Sequence, residues 1–407
     1  MIELLIIADD LTGALDTAVP FVKQGIAAKV TMGRRVDFPR LAPGTRVLVV
    51  DAETRHLEPQ EAGRVVSELV KKAKRFGIAR FFKKTDSALR GNIAAELAGM
   101  LRASGEKELL FFPAYPEMGR TTRDGVHYID SVPVAESMFG RDLLNPVRTS
   151  RVAGLFAEEK GVSVCQFPVR AGYRPCGGSL PRISIFDAAL PGDIRDNLCN
   201  WQKNGGGNVL AGCAGLANAL AALWPGRREP LFNTGFKTEG LLVLCGSLNP
   251  VTLGQLSYAQ ARGFRRMRLP LPAPELLASP GFKPFLDDFE AACRRGERVI
   301  VDTIGPDSAD NTGIQGMDLS ADIPKVFGVL LSRWISWNLN HTVFITGGDT
   351  LLGCIDAAKA RAVTPVRELF PGVPLNVLET DARPLQAVSK SGGFGAETLL
   401  IDLEKAL

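Results

Sequence analysis

The chain has 407 residues, 45% apolar and 23% charged, which is too long for one ordinary core and has the composition of a water-soluble globular protein. Its 48 Lys and Arg against 44 Asp and Glu are spread along the whole length, which argues against a nucleic-acid or membrane-surface protein, whose basic residues gather in blocks. No run approaches the roughly eighteen apolar residues of a membrane span. The seven cysteines contain no C-x-x-C and the three histidines no metal-ligand spacing, so neither a zinc site nor a disulfide framework is expected, and the expected compartment is the cytoplasm.

In chain order, MIELLIIADDLTG begins as a buried strand that ends in two adjacent carboxylates, Asp9 and Asp10. A helix cap by Asp10 or Thr12 accounts for one of them; a substrate-holding or catalytic pair accounts for both. The apolar runs AAKVT, RVLVVD, ARFFKK, ELLFFP, RISIFD and NVLAG read as further strands, with helices at 58–76, 92–104, 191–203 and 214–223 between them. This alternation is the pattern of βαβ units and a mostly parallel sheet. Residues 224–240, WPGRREPLFNTGFKTEG, are rich in Pro, Gly and charge and read as a linker. The pattern then restarts with LLVLCGS (241–247), a helix from about 250 to 262, RVIVDT (298–303), a helix from about 321 to 338 and TVFITGGDT (342–350). The expected organisation is α/β with two domains, 1–228 and 229–407, each a mostly parallel sheet flanked by helices, with the active site in the interdomain cleft.

Open α/β sheets bind ligands beyond the carboxyl ends of their strands, and the two halves differ there in kind. The first half offers Asp9, Asp10, Asp51, Lys83, Lys84, Asp86, Pro113 and Asp187. The segment FFKKTDSALRGNIAAEL (81–97) is the densest, with Lys84, Asp86, Ser87 and Arg90 in one short connection; a solvated loop capped by Asn92 is its simpler reading. After ELLFFP, the loop 111–134 carries Glu117, Arg120 and Arg123, either a second anion-gripping group or a surface hairpin, with His127 read as structural. The turn Gly212-Cys-Ala-Gly215 reads as close packing or as a wall of the cleft.

The second half is rich in glycine and hydroxyls. Gly246-Ser247, Thr346-Gly347-Gly348-Asp349-Thr350 and Lys390-Ser391-Gly392-Gly393-Phe394-Gly395 each follow an apolar run. Glycines at a helix N-terminus present backbone N–H donors to phosphate oxygens, and three such turns in one domain suggest a polyphosphate site. There is no G-x-x-x-x-G-K-[ST], no G-x-G-x-x-G in a first βα unit, no G-x-S-x-G, and no aspartyl-phosphatase spacing around Asp9.

Together, ADDLTGALD (8–16), KKTDSALRGN (83–92), PAYPEMGR (113–120), GCAGLA (212–217), Gly246-Ser247, TGGDT (346–350) and KSGGFG (390–395) resemble, in this order, the four-carbon acid sugar kinases. The resemblance implies a sugar-binding N-terminal domain, a nucleotide-binding C-terminal domain, and ATP- and Mg2+-dependent phosphorylation of the 4-hydroxyl of a threonate, erythronate or 3-oxo-tetronate in carbohydrate acid catabolism. It implies that Arg90 and Lys84 hold the substrate carboxylate and that Asp9, Asp10, Asp86 and Ser87 bind its hydroxyls. Glu117 and Arg120 are added to the substrate group. Asp10 is the favoured base, with Asp9 and Asp86 as rivals. Ser247, Thr346, Gly347, Gly348, Asp349, Thr350, Gly392 and Gly393 fall to ATP, with Asp349 approaching magnesium through water; direct metal ligands are left unassigned. Where the family pattern K-x-D-S-T-L-R-G-N has Thr, this chain has Ala88, which bears on substrate identity more than on reaction type. A silent sugar-acid or nucleotide sensor is the alternative. Homo-oligomerisation is left open, and neither nucleic acid nor membrane is an expected partner.

Overall fold

A computed structural model describes the chain except residues 34–35, 143–144, 170–178, 205, 226–237, 239, 271–281, 305–318, 340, 382 and 391–392, and the side chains of 319–321. Most of the expected linker 224–240 therefore lies outside the described residues. The chain divides into two compact units, Met1–Leu231 and Phe232–Leu407.

The first unit runs β1 (Leu4–Ala8), α1 (Leu11–Lys23), β2 (Ala28–Met32), α2 (Phe38–Leu41), β3 (Val47–Asp51), α3 (Pro59–Arg75), β4 (Arg80–Lys84), α4 (Ile93–Ser104) and β5 (Glu108–Phe112). It continues with β6 (Arg120–Arg123), β7 (Val126–Ile129), β8 (Val132–Pro133), β9 (Ser163–Phe167), β10 (Arg182–Phe186), α5 (Pro191–Lys203), β11 (Val209–Gly212) and α6 (Ala214–Ala222). Its main sheet has the order β2-β3-β1-β4-β11-β5-β10-β9, with every pairing parallel. Strands buried on both faces require continuous apolar runs rather than alternation, which is what LLIIA and VLVVD supply. The loop after β5 forms a separate antiparallel sheet of β6, β7 and β8, so the hairpin reading of 111–134 describes its backbone.

From β1 the chain moves to β2 on one side, and from β4 to β5 on the other. Neighbouring β1 and β4 thus flank a topological switch point, where a crevice opens at the carboxyl edge. This places Asp9-Asp10 beside Lys84 and Asp86 without any contact in sequence.

The second unit runs β12 (Leu241–Cys245), α7 (Pro250–Gln260), β13 (Arg265–Arg268), α8 (Lys283–Arg294), β14 (Val299–Asp302), α9 (Leu319–Ser336), β15 (Thr342–Thr346), α10 (Gly348–Ala357), β16 (Ala362–Phe370), β17 (Val373–Glu379), β18 (Leu385–Lys390) and α11 (Leu399–Ala406). Strands β13, β14, β12, β15 and β18 are parallel neighbours, while β17 and β16 continue the sheet antiparallel. Val243, Phe344, Val388 and Leu400 lie in one core cluster with Leu256 of α7. No helix among the described residues is long and apolar enough to cross a membrane.

Strand geometry separates the two adjacent lysines that end β4, because successive side chains leave opposite faces. Lys83 turns to α4, where its Nζ lies 3.2 Å from Glu96 Oε2, both side chains being essentially inaccessible. Burial pushes the Glu96 carboxyl up, Lys83 opposing it. Removing one partner of such a pair strands the other in a low-dielectric interior. Lys83→Met is therefore expected to destabilise the first unit by about 3 kcal/mol in chemical denaturation, and Lys83→Met/Glu96→Leu to recover most of it.

Candidate active site

Asp9 and Asp10 follow directly from β1, and the first turn of α1 begins on Asp10, whose Oδ1 accepts the Gly13 N–H at 3.0 Å. The cap is thus Asp10 and not Thr12. Its other oxygen accepts from Arg55 Nη1 at 2.7 Å, while Arg55 Nε donates to Asp9 Oδ2 at 2.8 Å. The same guanidinium reaches Asp86, with Nη2 3.7 Å from Oδ1. Arg55 is the hub of this cluster, and sequence reading passed over it. Three bonds with α4 and its entry fix its loop. Asn92 donates to the Thr54 and Leu57 carbonyls at 3.0 and 2.7 Å, and the Thr54 hydroxyl bonds Glu96. Asn92 occupies the N-cap position of α4, yet its side chain makes no cap bond and braces the Arg55 loop instead.

Asp86 closes a tight turn after β4. It accepts the Ala88 N–H at 3.1 Å and receives Arg90 in a fork, Nε to Oδ2 and Nη2 to Oδ1, each at 3.0 Å. The turn holds Leu89 at φ 64°, a left-handed conformation unfavourable for a leucine. Burial resists ionisation of Asp86, but the Arg90 fork and Arg55 hold its carboxyl well below the usual range. At Asp9 burial is likewise outweighed, by Arg55 and then Lys83 and Lys84, and its carboxyl is also held low. Arg90 also donates to Asp142 at 3.3 Å and lies over the Phe139 ring, 5.2 Å from its centroid. Its expected carboxylate-gripping fork is therefore occupied by protein carboxylates.

Lys84 leaves β4 on the face opposite Lys83. A Cβ built on Gly13 would lie 2.5 Å from both Lys84 Nζ and Asp10 Oδ1, so the absence of a side chain there is what lets the amine enter beside α1. Lys84 is 6% exposed and makes no ion pair or hydrogen bond through its amine with the described residues. Ser87 stands at the same turn, its carbonyl accepting from His127 Nε2 at 2.9 Å. Burial lowers His127 to about 4, so its ring is neutral and bridges Ser87 to the Thr122 hydroxyl as a structural brace. Ala88 is a buried methyl, 2% exposed. Glu117 is exposed on a 3-10 turn, and Arg120 at the start of β6 bonds the Met118 carbonyl. Neither bonds a member of the Arg55 cluster among the described residues.

In the second unit, Cys245, Thr346 and Lys390 end β12, β15 and β18 in register. A Cβ on Gly246 would sit 2.1 Å from Thr350 Oγ1, and one on Gly347 3.7 Å from the Ser247 nitrogen, so the Gly246-Ser247 and Gly347–Thr350 turns interlock. A Cβ on Gly393 would be 3.8 Å from Asn249 Nδ2, which brings the third turn to the same edge; Gly392 lies outside the described residues. Thr346 Oγ1 is buried without a hydrogen-bond partner, and Asp349 is exposed in the first turn of α10. Lys390, the first residue of the third glycine-rich turn, donates to Thr252 Oγ1 at 2.9 Å, and burial pushes its amine down to about 8. Asp302 is committed elsewhere, taking Arg266 Nε at 2.5 Å.

A model described as the sugar-binding N-terminal domain matches residues 4–220, and one described as the nucleotide-binding C-terminal domain matches 242–400. The chain belongs to the four-carbon acid sugar kinase family. It is 29% identical to a D-threonate kinase of Bordetella bronchiseptica, over 99% of this chain and 96% of that one. With a D-threonate kinase of Cupriavidus necator it shares 31% identity, over 97% and 96%. A solved chain from Salmonella typhimurium LT2 has the same fold, with a TM-score of 0.81, 20% identity and coverage of 100% and 99%.

Within this kinase family member, Arg55 is the side chain whose removal leaves most charge uncompensated. Arg55→Ala is expected to cost about 3 kcal/mol of stability, because three buried or half-buried carboxylates lose a shared cation. Arg55→Lys should recover only a fraction, since one ammonium cannot reproduce the fork. Thermal unfolding of the three proteins side by side measures both effects.

Proposed function

We propose that the enzyme transfers the γ-phosphoryl group of ATP to the 4-hydroxyl of a four-carbon sugar acid, with D-threonate the first substrate to test. The reading rests on one observation: a nearly buried ammonium, Lys84, without a bonded partner among the described residues, beside a partly exposed carboxylate, Asp10. A buried cation calls for an anion, and a sugar-acid carboxylate supplies one while its hydroxyls bond the neighbouring carboxylates.

In this reading Lys84 takes the substrate carboxylate, with the Arg90 guanidinium, held by Asp86 and Asp142, as a second positive charge alongside. Asp10, side chain 30% exposed, faces the reacting hydroxyl and orients its proton away from the attacking lone pair. Asp86 and Asp9, held ionised by their cations, accept from the other hydroxyls and are poor proton acceptors. Ser87 completes the hydroxyl contacts. In the second unit the N–H groups at the start of α10, with Ser247, Thr350 and Gly393, cradle the ATP phosphates. The unsatisfied Thr346 hydroxyl and the Lys390 amine stand at the same edge. Phosphoryl transfer needs such positioning and charge compensation more than covalent help from the protein.

The described residues form no cluster of three or more His, Cys, Asp or Glu able to hold a metal. In this reading magnesium would be held chiefly by nucleotide phosphates and water, with the exposed Asp349 approaching it through water. When bound, the ion offsets negative charge on the phosphate oxygens.

A coupled ADP assay with D-threonate, L-threonate, D-erythronate and 3-oxo-tetronate tests the reading, and ADP release dependent on one sugar acid and on magnesium is expected. Calorimetric binding of these acids with no ADP from any of them overturns it. Lys84→Met should raise KM for the sugar acid about 10- to 100-fold, the worth of one charge-assisted hydrogen bond, and leave KM for ATP unchanged.

A further inference from the structure

Three carboxylate oxygens at the carboxyl edge of the first sheet are buried and unbonded among the described residues: Asp9 Oδ1, Asp51 Oδ2 and, farther along the edge after β10, Asp187 Oδ1; the first two are neighbours. Asp9 is 3% exposed and Asp51 1%. They end neighbouring parallel strands, with Ala8 of β1 opposite Asp51 of β3 in register and Ala52 N–H bonded to the Ala8 carbonyl at 3.0 Å. Neighbouring strands stand about 4.8 Å apart, so Asp51 adjoins the Asp9-Asp10 pair.

Among the described residues no nearby cation bonds Asp51, and all but Lys84 are already committed. Arg55 serves Asp9, Asp10 and Asp86, Arg90 serves Asp86 and Asp142, and Lys83 serves Glu96. Asp51 makes no ion pair with the described residues, and the hydrogen bond to its side chain comes from Glu53 N–H at 3.0 Å. The charges acting on it are Asp10 and Asp9 from the end of β1 and Glu53 from its own turn. Its register partner on β2 is Met32, which is uncharged, and Arg34 and Arg35 beyond it lie outside the described residues. A carboxyl in such a place takes a proton rather than a charge.

We propose that Asp51 is a positioning residue for the reaction, a neutral carboxyl that spares the neighbouring acidic pair a further negative charge and so keeps the site receptive to an anionic substrate. Four carboxylates (Asp9, Asp10, Asp86, Asp142) already share three cations (Arg55, Lys84, Arg90) before the sugar acid binds. Its carboxylate adds one negative charge, and an ionised Asp51 would add another beside it. Burial first, opposed by the Glu53 N–H and then reinforced by Asp10, Glu53 and Asp9, pushes the Asp51 carboxyl up to about 8. Since the folded state favours the protonated form, this stabilisation is complete below the ordinary aspartate range, declines as pH rises, and is gone above about 8.

The inference rests on the kinase reading for its catalytic arm and is independent of it for its stability arm. In wild type, KM for the sugar acid is expected to rise above pH 8, approaching tenfold per pH unit, with kcat much less affected. Asp51→Asn, neutral at every pH, should abolish that rise; Asp51→Ser, which keeps an O–H donor, is the second variant should the first not fold. Without any substrate, Tm of wild type should fall relative to the neutral variant between about pH 4 and 8 and level off above that. An alkaline rise in KM or fall in Tm that persists unchanged in a folded neutral variant overturns the proposal. So does a kcat loss of 100-fold or more at unchanged KM, which would make Asp51 the base. If wild type releases no ADP with any sugar acid, the kinase reading fails, while the Tm comparison still decides the state of Asp51.

Discussion

The first unit is organised around one buried guanidinium. Arg55 joins the ends of β1 and β4 by bonding Asp9 and Asp10 and reaching Asp86. Without that cation, the carboxylates brought together by the parallel sheet would repel one another in a poorly solvated crevice. With it, two of them stay ionised at low proton affinity despite burial, and the guanidinium itself is held protonated by the same charges. The brace from Asn92 and Glu96 to the Arg55 loop makes α4 part of the site.

The two units meet different physical demands with different materials. On the proposed function, a small polyhydroxy anion is discriminated by charged side chains held in fixed positions, here residues 9, 10, 55, 86 and 90, which bond one another, with Lys84 left for the anion. Phosphates are larger and more highly charged, and backbone N–H groups at a helix start bind them without placing a full positive charge in the interior. Glycines at 246 and 347 allow the backbone turns to interlock closely enough for this. Lys84 and Lys390 each place an amine at the carboxyl edge of its sheet, and both are almost fully buried.

The strands and most helices were legible because buried parallel strands need long apolar runs and the helices between them need amphipathic ones. The β1, β3, β4 and β12 runs and the helices at 59–75 and 191–203 follow from that rule. Less legible were the short strands β6 to β9 and β13 and the antiparallel β16–β18 edge, whose polar, Pro- and Gly-broken sequences carry no strong period. Arg55 escaped notice for a similar reason. It lies in DAETRHLEP, an unpatterned stretch with no glycine turn, and its only signal was its place just beyond a strand ending in Asp51. Lys83 and Lys84 looked like a cation pair; strand alternation gave one to the core and one to the crevice.

By itself the sequence determined the fold class, the alternation of strands and helices, and the division between charged strand ends and glycine-rich ones. These depend on local periodicity and residue type, which are properties of a linear string. Which charges neutralise which was decided only by tertiary structure. Asp9 and Arg55, or Lys83 and Glu96, are distant or unremarkable in sequence and meet because parallel strands align their carboxyl ends. Among the described residues the same closure left Asp51 and Lys84 without a bonded partner of opposite charge, the first in an interior that favours a proton and the second at the crevice. Burial and pairing set those outcomes, and both are properties of the folded chain.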